Sequence, residues 1–268
     1  MKENRQFHRA AGRVSVCIAT YNGGRFIREQ LDSILPQLTG DDEIVICDDG
    51  STDETLPVAE SYSEPRIRIQ RNSARLGHAQ NFMKAIAMAR GDYIALSDQD
   101  DIWVEGRLAK MLDLLEGLPP GSLVIGEFIT VDEANRECPS HLNGLALGEP
   151  SFSGFVQLAR ILSGRVKYFG CTFVFGRELA GYFDPMPRRI EAHDVWIAIN
   201  ACLFSRLVHC RENTLRHRLH ERNLTPTRRR SLGMIARSRI YYIYYLVLAY
   251  CRHWLTGNRK HYSKWVRD

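Results

Sequence analysis

The sequence predicts an α/β fold built on a mainly parallel sheet. Short apolar, β-rich runs alternate with amphipathic helical stretches over residues 14–101, and a polar cluster follows the first, second and fourth of these runs. In open sheets of this kind ligands sit outside the carboxyl ends of the strands, so the three clusters are expected to face one crevice.

Residues 1–12 read as a disordered tail. Val14–Ala19 (VSVCIA) has the unbroken apolar character of a strand buried on both faces. Thr20-Tyr21-Asn22-Gly23-Gly24 then marks a loop. Over 25–38, Phe26, Ile27, Leu31, Ile34, Leu35 and Leu38 recur at helical spacing. Glu43–Cys47 is a second buried strand, closed by Asp48-Asp49-Gly50-Ser51-Thr52-Asp53, in which Ser51 or Thr52 is placed to cap a helix starting near Asp53. A third strand is expected at Ile67–Gln70, and a helix at 78–90 with Gly91 in its C′ position. Tyr93–Leu96 forms a fourth strand running straight into Ser97-Asp98-Gln99-Asp100-Asp101.

The second half is less regular. A helix over 108–118 is broken by Pro119-Pro120-Gly121. Strands are expected at 122–129, 172–175 and 205–210, and helices near 153–162 and at 194–204. A basic stretch, 228–239, leads into an aromatic helix over 240–255.

Composition narrows the class. The 268 residues are 44% hydrophobic and 25% charged, ordinary for a globular chain and far from collagen-like or disordered compositions. The net charge is +5, and Arg supplies most of the positive side, which suits phosphate or carboxylate ligands; base composition of the gene explains it equally well. Seven scattered cysteines without a C-x-x-C pair argue against a disulfide framework or zinc ribbon and favour a reducing compartment. The N-terminus has no apolar h-region, and the most apolar stretch, Ile240–Tyr250, falls well short of the roughly 20 residues of a span. The expectation is a cytoplasmic protein, at most peripheral at the inner face of the plasma membrane. Arg228, Arg229, Arg230, Arg237 and Arg239 ahead of the aromatic run fit anionic lipid headgroups, or equally a solvated flank of a packed helix. No nucleic-acid-reading module is visible, so nucleic acid is not an expected partner.

Asp98-Gln99-Asp100-Asp101 carries the strongest chemical signal. Three carboxylates in four residues repel one another unless a cation is bound, and Mg²⁺ or Mn²⁺ takes one or two carboxylates together with phosphate oxygens. At Asp48 and Asp49 one acid is suited to receive a base N–H or ribose hydroxyl while the other caps the turn; a turn alone also explains both. Neither G-x-G-x-x-G nor G-x-x-x-x-G-K-[ST] is present.

Segments 14–37, 43–55, 71–103 and 191–198 (EAHDVWIA) together resemble family 2 glycosyltransferases, and Ser-Asp-Gln-Asp-Asp-Ile-Trp with His-Asp-x-Trp is most similar to the bacterial rhamnosyltransferase-type group. The resemblance implies the GT-A fold, a Rossmann-like nucleotide-binding mixed sheet flanked by helices, here with a C-terminal helical extension. It implies a nucleotide-sugar half at 13–105, an acceptor half at 106–225 and a basic, aromatic helical segment at 226–268. It further implies nucleotide contacts from Ala19, Thr20, Tyr21, Asn22, Asp49, Asp98 and Arg218, with Tyr21 near the base. Asp98 and Asp100 match the D-x-D, and Asp194 matches the general base of inverting members. Those members usually carry Glu before that Asp, where this chain has His193, which either couples to Asp194 or packs against the acceptor. In 215–225 (LRHRLHERNLT) the segment resembles Y-R-x-H-x-x-N with His217 replacing Tyr. His220 would be a third metal ligand and Arg218 would meet the diphosphate; a surface basic loop is the competing reading.

The expected activity is an inverting, metal-dependent transfer from dTDP-rhamnose or a UDP-hexose to a hydroxyl of a saccharide or lipid-linked saccharide in cell-surface polysaccharide assembly. The rivals are a nucleotidyltransferase, which would want a Lys- or Arg-bearing Gly-rich first loop, and a non-catalytic sugar-binding domain, against which the intact Asp98, Asp100 and Asp194 argue.

Overall fold

The computed structural model describes residues 12–138, 140, 154–188, 190, 192–221, 223 and 232–255. Its strands are β1 (Val14–Thr20), β2 (Glu43–Asp48), β3 (Ile67–Arg71), β4 (Tyr93–Asp98), β5 (Ile102–Trp103), β6 (Leu123–Val131), β7 (Phe173–Gly176) and β8 (Leu207–Arg218). They form one eight-stranded sheet in the order β3-β2-β1-β4-β7-β6-β8-β5. The first four strands in that order are mutually parallel. Antiparallel β7 joins them to β6, which pairs parallel with β8. The sheet is therefore mixed, as expected.

The helices are α1 (Ile27–Ile34), α2 (Thr55–Glu60), α3 (His78–Met88), α4 (Arg107–Leu115), α5 (Gly154–Ser163), α6 (Ala180–Phe183), α7 (His193–Phe204) and α8 (Leu232–Leu255). Every residue of β1 and β2 is buried, and alternate side chains feed two cores. Cys17, Val45, Cys47, Ile94 and Leu96 meet α3, α5, α7 and α8 on one face of the sheet. Val16, Ile18, Ile44, Ile46 and Ala95 meet α1 and α4 on the other. This double cover explains why the central strands read as unbroken apolar runs.

Several local expectations are corrected. The first helix stops at Ile34 and tightens into a 3-10 turn over Leu35–Gln37, because Pro36 cannot donate to a continuing α-helix. Neither Ser51 nor Thr52 caps α2. The N-cap position is Glu54, without a side-chain cap, and Asp53 Oδ1 accepts from the Thr55 amide at 3.1 Å, while the Ser51 hydroxyl donates to Asp48 and the Thr52 amide to Asn22.

Gly91 is not a left-handed C′ residue either. The α3 helix already ends at an extended Ala89. Gly91 instead lies so close to β1 that a Cβ would sit 2.6 Å from Arg13 O and Ser15 N. The strand expected at 205–210 runs on to Arg218, and the C-terminal helix begins at Leu232. Arg228, Arg229, Arg230 and the expected tail at residues 1–11 lie outside the described residues. Among the described residues, no helix is long and apolar enough to cross a membrane.

Replacing Gly91 by Ala should force the 90–92 segment away from β1 and cost about 1–3 kcal/mol in urea unfolding. Gly91→Asn should do no better. An Asn variant with an unchanged midpoint would restore the helix-cap reading.

Candidate active site

The carboxyl ends of β1, β2 and β4 open into one cleft, lined by Ala19, Thr20, Tyr21, Asp49, Asp98 and Asp100 from the sheet side and by His193 and Asp194 from the first turn of α7. The sequence placed these eight residues in a common site, and the fold brings them together. Gln99 joins two of the strand ends directly. Its Oε1 accepts from the Tyr21 amide at 2.8 Å and its Nε2 donates to Tyr21 O at 3.2 Å. One face of the Tyr21 ring carries the Arg75 guanidinium, 3.9 Å from the centroid.

The two acids at 48 and 49 are both occupied. Asp48 accepts from Thr20 Oγ1 at 3.0 Å and from the Gly50 and Ser51 amides at 3.1 and 2.9 Å, and closes the turn. Asp49 accepts from Leu76 N (2.6 Å), Gly77 N (2.8 Å) and Asn72 Nδ2 (3.0 Å), which fixes the loop leading into α3. It still lines the cleft.

Asp98, Asp100 and Asp101 each place a carboxylate oxygen within 4.8 Å of the others. Burial, then the Asp101 and Asp100 charges, push the Asp98 carboxyl well above the usual carboxylate range. Asp101 has a protein counter-ion. It accepts from His217 Nδ1 and from Arg218 N at 2.8 and 3.1 Å, and, against its burial, the His217 charge holds its carboxyl low. For His217 burial opposes the charge, but Asp101 and then Asp98 carry its pKa up to about 9. His220 Nε2 lies 2.8 Å from Asp100 Oδ2, its ring stacked on Phe26. Asp98 lies 3.8 Å from His78, whose imidazole burial pushes toward neutrality, and the His217 charge and a hydrogen bond with the Cys171 thiol offset the raised Asp98 pKa only in part.

An all-oxygen donor set whose like charges already strain Asp98 fits a hard divalent cation, with Asp98 and Asp100 as the ligands left after Asp101 has paired with His217. A second group, Asp101, Cys171 and His217, also falls within 4.8 Å. It fits a metal poorly, because burial and the nearby carboxylates raise the Cys171 thiol pKa well above its usual value and keep it protonated.

Three sequence-predicted residues do not line the cleft. Asn22, at φ 50°, accepts from the Thr52 amide at 2.9 Å and braces the first loop against the second. His220 stands behind Asp100. Arg218 is buried beneath the acidic loop, where its guanidinium donates to Asp100 O (3.0 Å), Glu133 O (2.7 Å) and Glu29 (2.6 Å). The expected diphosphate contact from Arg218 is thus replaced by a structural one.

His193 stacks on Phe82 at 4.6 Å and meets His78 edge-on. Its Nε2 is packed against Gly170, where a Cβ would collide with it. Burial, then His78, hold it neutral, which suits a packed wall better than a charged partner of Asp194. Asp194 lies in the first turn of α7 and is not its N-cap, which is Ala192. Sequence reasoning missed Arg75, His78, Gln99 and His217. The first three lie inside the matched 71–103 segment, and His217 is visible as a departure from the family's Tyr.

The sheet order and flanking helices are those of a GT-A fold. The family model described as "Glycosyl transferase family 2" matches residues 15–181, and the chain belongs to that family. It is 36% identical over 197 residues to the "Putative glycosyltransferase EpsE" of Bacillus subtilis, covering 69% of this chain and 66% of that protein. It is 42% identical over 105 residues to the "dTDP-rhamnosyl transferase RfbG" of Shigella flexneri, covering 37% of this chain and 36% of that one. The chain therefore spans less than two thirds of the length of these relatives. A crystal structure of S. aureus TarS 1-349 in complex with UDP-GlcNAc superposes with a TM-score of 0.64 at 19% identity, covering 95% of this chain and 76% of that one.

Arg218→Lys should lose at least two of the three guanidinium hydrogen bonds and destabilise the fold by about 1–3 kcal/mol in chemical denaturation. Unchanged stability with weakened nucleoside diphosphate binding would return Arg218 to the ligand.

Proposed function

We propose that the protein is an inverting, metal-dependent glycosyltransferase that moves a sugar from a nucleoside diphosphate to an acceptor hydroxyl in cell-surface polysaccharide assembly. The observation that carries this reading is the convergence of the Asp98/Asp100 pair and Asp194 on one cleft at the carboxyl ends of the parallel strands. Residues 13–105 would hold the donor and 106–225 the acceptor, a saccharide or lipid-linked saccharide. Similarity to RfbG supports dTDP-rhamnose as the first donor to try, with UDP-hexoses second.

Asp98 and Asp100, with His220 behind Asp100, would hold Mg²⁺ or Mn²⁺, which when bound supplies a charge clamp for the departing diphosphate. Ala19, Thr20 and Tyr21 form the floor and edge beside which the nucleoside would lie. Gln99 keeps that edge in register with the D-x-D loop. Asp194 would accept the proton of the attacking hydroxyl on its carboxylate, which the first turn of α7 presents to the cleft. His193, held neutral against Phe82 and Gly170, would shape the acceptor wall and take no part in proton transfer. The nucleotidyltransferase alternative gains nothing from the geometry: the first loop brings no Lys to the cleft.

The reading is tested by incubating the protein with a panel of nucleotide-sugars, following nucleoside diphosphate release with and without EDTA, and reading the product anomer by NMR. One donor should be consumed, only without chelator, and with inversion. Asp194→Asn should keep donor affinity and lower kcat by roughly 10²–10⁴-fold. Near-normal turnover, or loss of donor binding and stability instead, would place the base elsewhere.

A further inference from the structure

The outer face of α8 is an exposed apolar surface that the proposed reaction does not use. Its inner face is anchored, with Tyr245 and Ala249 buried in the core and Tyr242, Leu246 and Leu248 packed against it. Opposite them, Ile240, Ile243, Tyr244, Val247, Tyr250 and Trp254 are all exposed, Ile240 at 69% and Trp254 at 74%. Their spacing of three and four residues places them on one continuous stripe of the helix, and no charged side chain interrupts it. A free surface rarely leaves so many large apolar groups together in water.

We propose that α8 lies in the plane of an anionic lipid bilayer, with this stripe seated at the boundary of headgroups and acyl chains. The charge of the chain selects that partner. Residues 222–268 carry 11 Lys and Arg against 1 Asp or Glu, whereas residues 1–221 carry 25 against 30. The whole positive excess therefore belongs to the segment that contains the stripe, and the rest of the chain is net negative. That asymmetry holds the acidic body away from an anionic surface and draws this segment toward it.

The stripe's Tyr and Trp suit the same boundary, since each has an apolar ring and a polar edge. The opposite face of the helix is packed on the protein core, and α8 is not long and apolar enough to cross a bilayer, so it lies on the membrane and does not span it. A second copy of this chain is the poorer occupant, because a two-fold contact through α8 would bring together two segments that each carry 11 Lys and Arg against 1 Asp or Glu. Docking in this way does not rest on the glycosyltransferase reading; if that reading holds, it places the cleft on a membrane-borne acceptor.

The test is co-sedimentation of the full chain with vesicles of phosphatidylcholine alone and of phosphatidylcholine mixed with phosphatidylglycerol. No donor or acceptor is needed, so failure of the enzymatic reading leaves this test intact. Wild type should sediment with the mixed vesicles only, and less at high salt. Ile243→Glu/Val247→Glu should lower the partition coefficient by at least about tenfold, with an unchanged circular dichroism spectrum. Should that double variant fail to fold, the milder Ile240→Ser/Trp254→Ser pair gives the same readout. Equal sedimentation of wild type and folded variant, or no sedimentation with the mixed vesicles, overturns the proposal. So does a concentration-dependent dimer in sedimentation velocity that the substitutions dissociate while lipid binding is unchanged.

Discussion

Mutual repulsion among Asp98, Asp100 and Asp101, at the end of a strand buried between two helical layers, is the constraint on which the rest of the site depends. Like charges this close cannot all remain ionised without opposite charge nearby. The protein supplies part of that charge itself. His217 pairs with Asp101, His220 with Asp100, and buried Arg218 clasps the loop backbone from beneath. At Asp98, burial first and the Asp101 and Asp100 charges second raise the pKa beyond what the His217 charge and the Cys171 thiol offset. The missing charge is the physical basis for placing a divalent cation there.

Those counter-charges come from far along the chain, and the sheet is what delivers them. The two-residue strand β5 follows the acidic loop immediately and pairs antiparallel with the end of β8, Ile102 opposite Arg216 and Trp103 opposite Leu215. That short pairing sets His217 and Arg218 against Asp101. On the other side, the parallel pairing of β1 with β2 and β4 aligns Thr20 and Tyr21 with Asp48, Asp49 and Asp98. Side chains then lock the loops: Asn22 to the second, Gln99 to the first, and Asp49 to the turn before α3. Most of the conspicuous polar residues hold loops in place, and few remain to meet a ligand.

The pattern of the sequence reveals the parallel half well because its strands are covered on both faces. VSVCIA, EIVIC and YIAL admit hardly any polar residue, so their boundaries lie within two residues of the observed ones. The end of β8 was illegible for the opposite reason. RENTLRHR is polar because Arg211, Glu212 and Asn213 are exposed while His217 and Arg218 at its end pair with the acidic loop, and periodicity finds no apolar face there. At Arg218 the resemblance to the Y-R-x-H-x-x-N segment suggests a diphosphate contact, whereas the side chain is buried and braces the acidic loop. Gly91 shows the same limit in the backbone: a glycine after a helix suggests a left-handed cap, but here close approach to β1 requires it. Asp194 was placed in the site only by the resemblance, since its position near a helix start equally describes a cap.

The central claim, that the acidic loop is built for a cation it otherwise pays for in stability, is tested most directly by the Tm of wild type and of Asp98→Asn with and without Mn²⁺. Removing one of three repelling carboxylates should leave the Asn variant at least as stable as wild type in the absence of metal. Mn²⁺ should raise the wild-type Tm, by mass action on the folded state, and leave the variant's Tm nearly unchanged. An Asn variant that melts lower without metal, or an equal Mn²⁺ shift in both proteins, would show that Asp98 is a structural residue and that the loop does not depend on a bound cation.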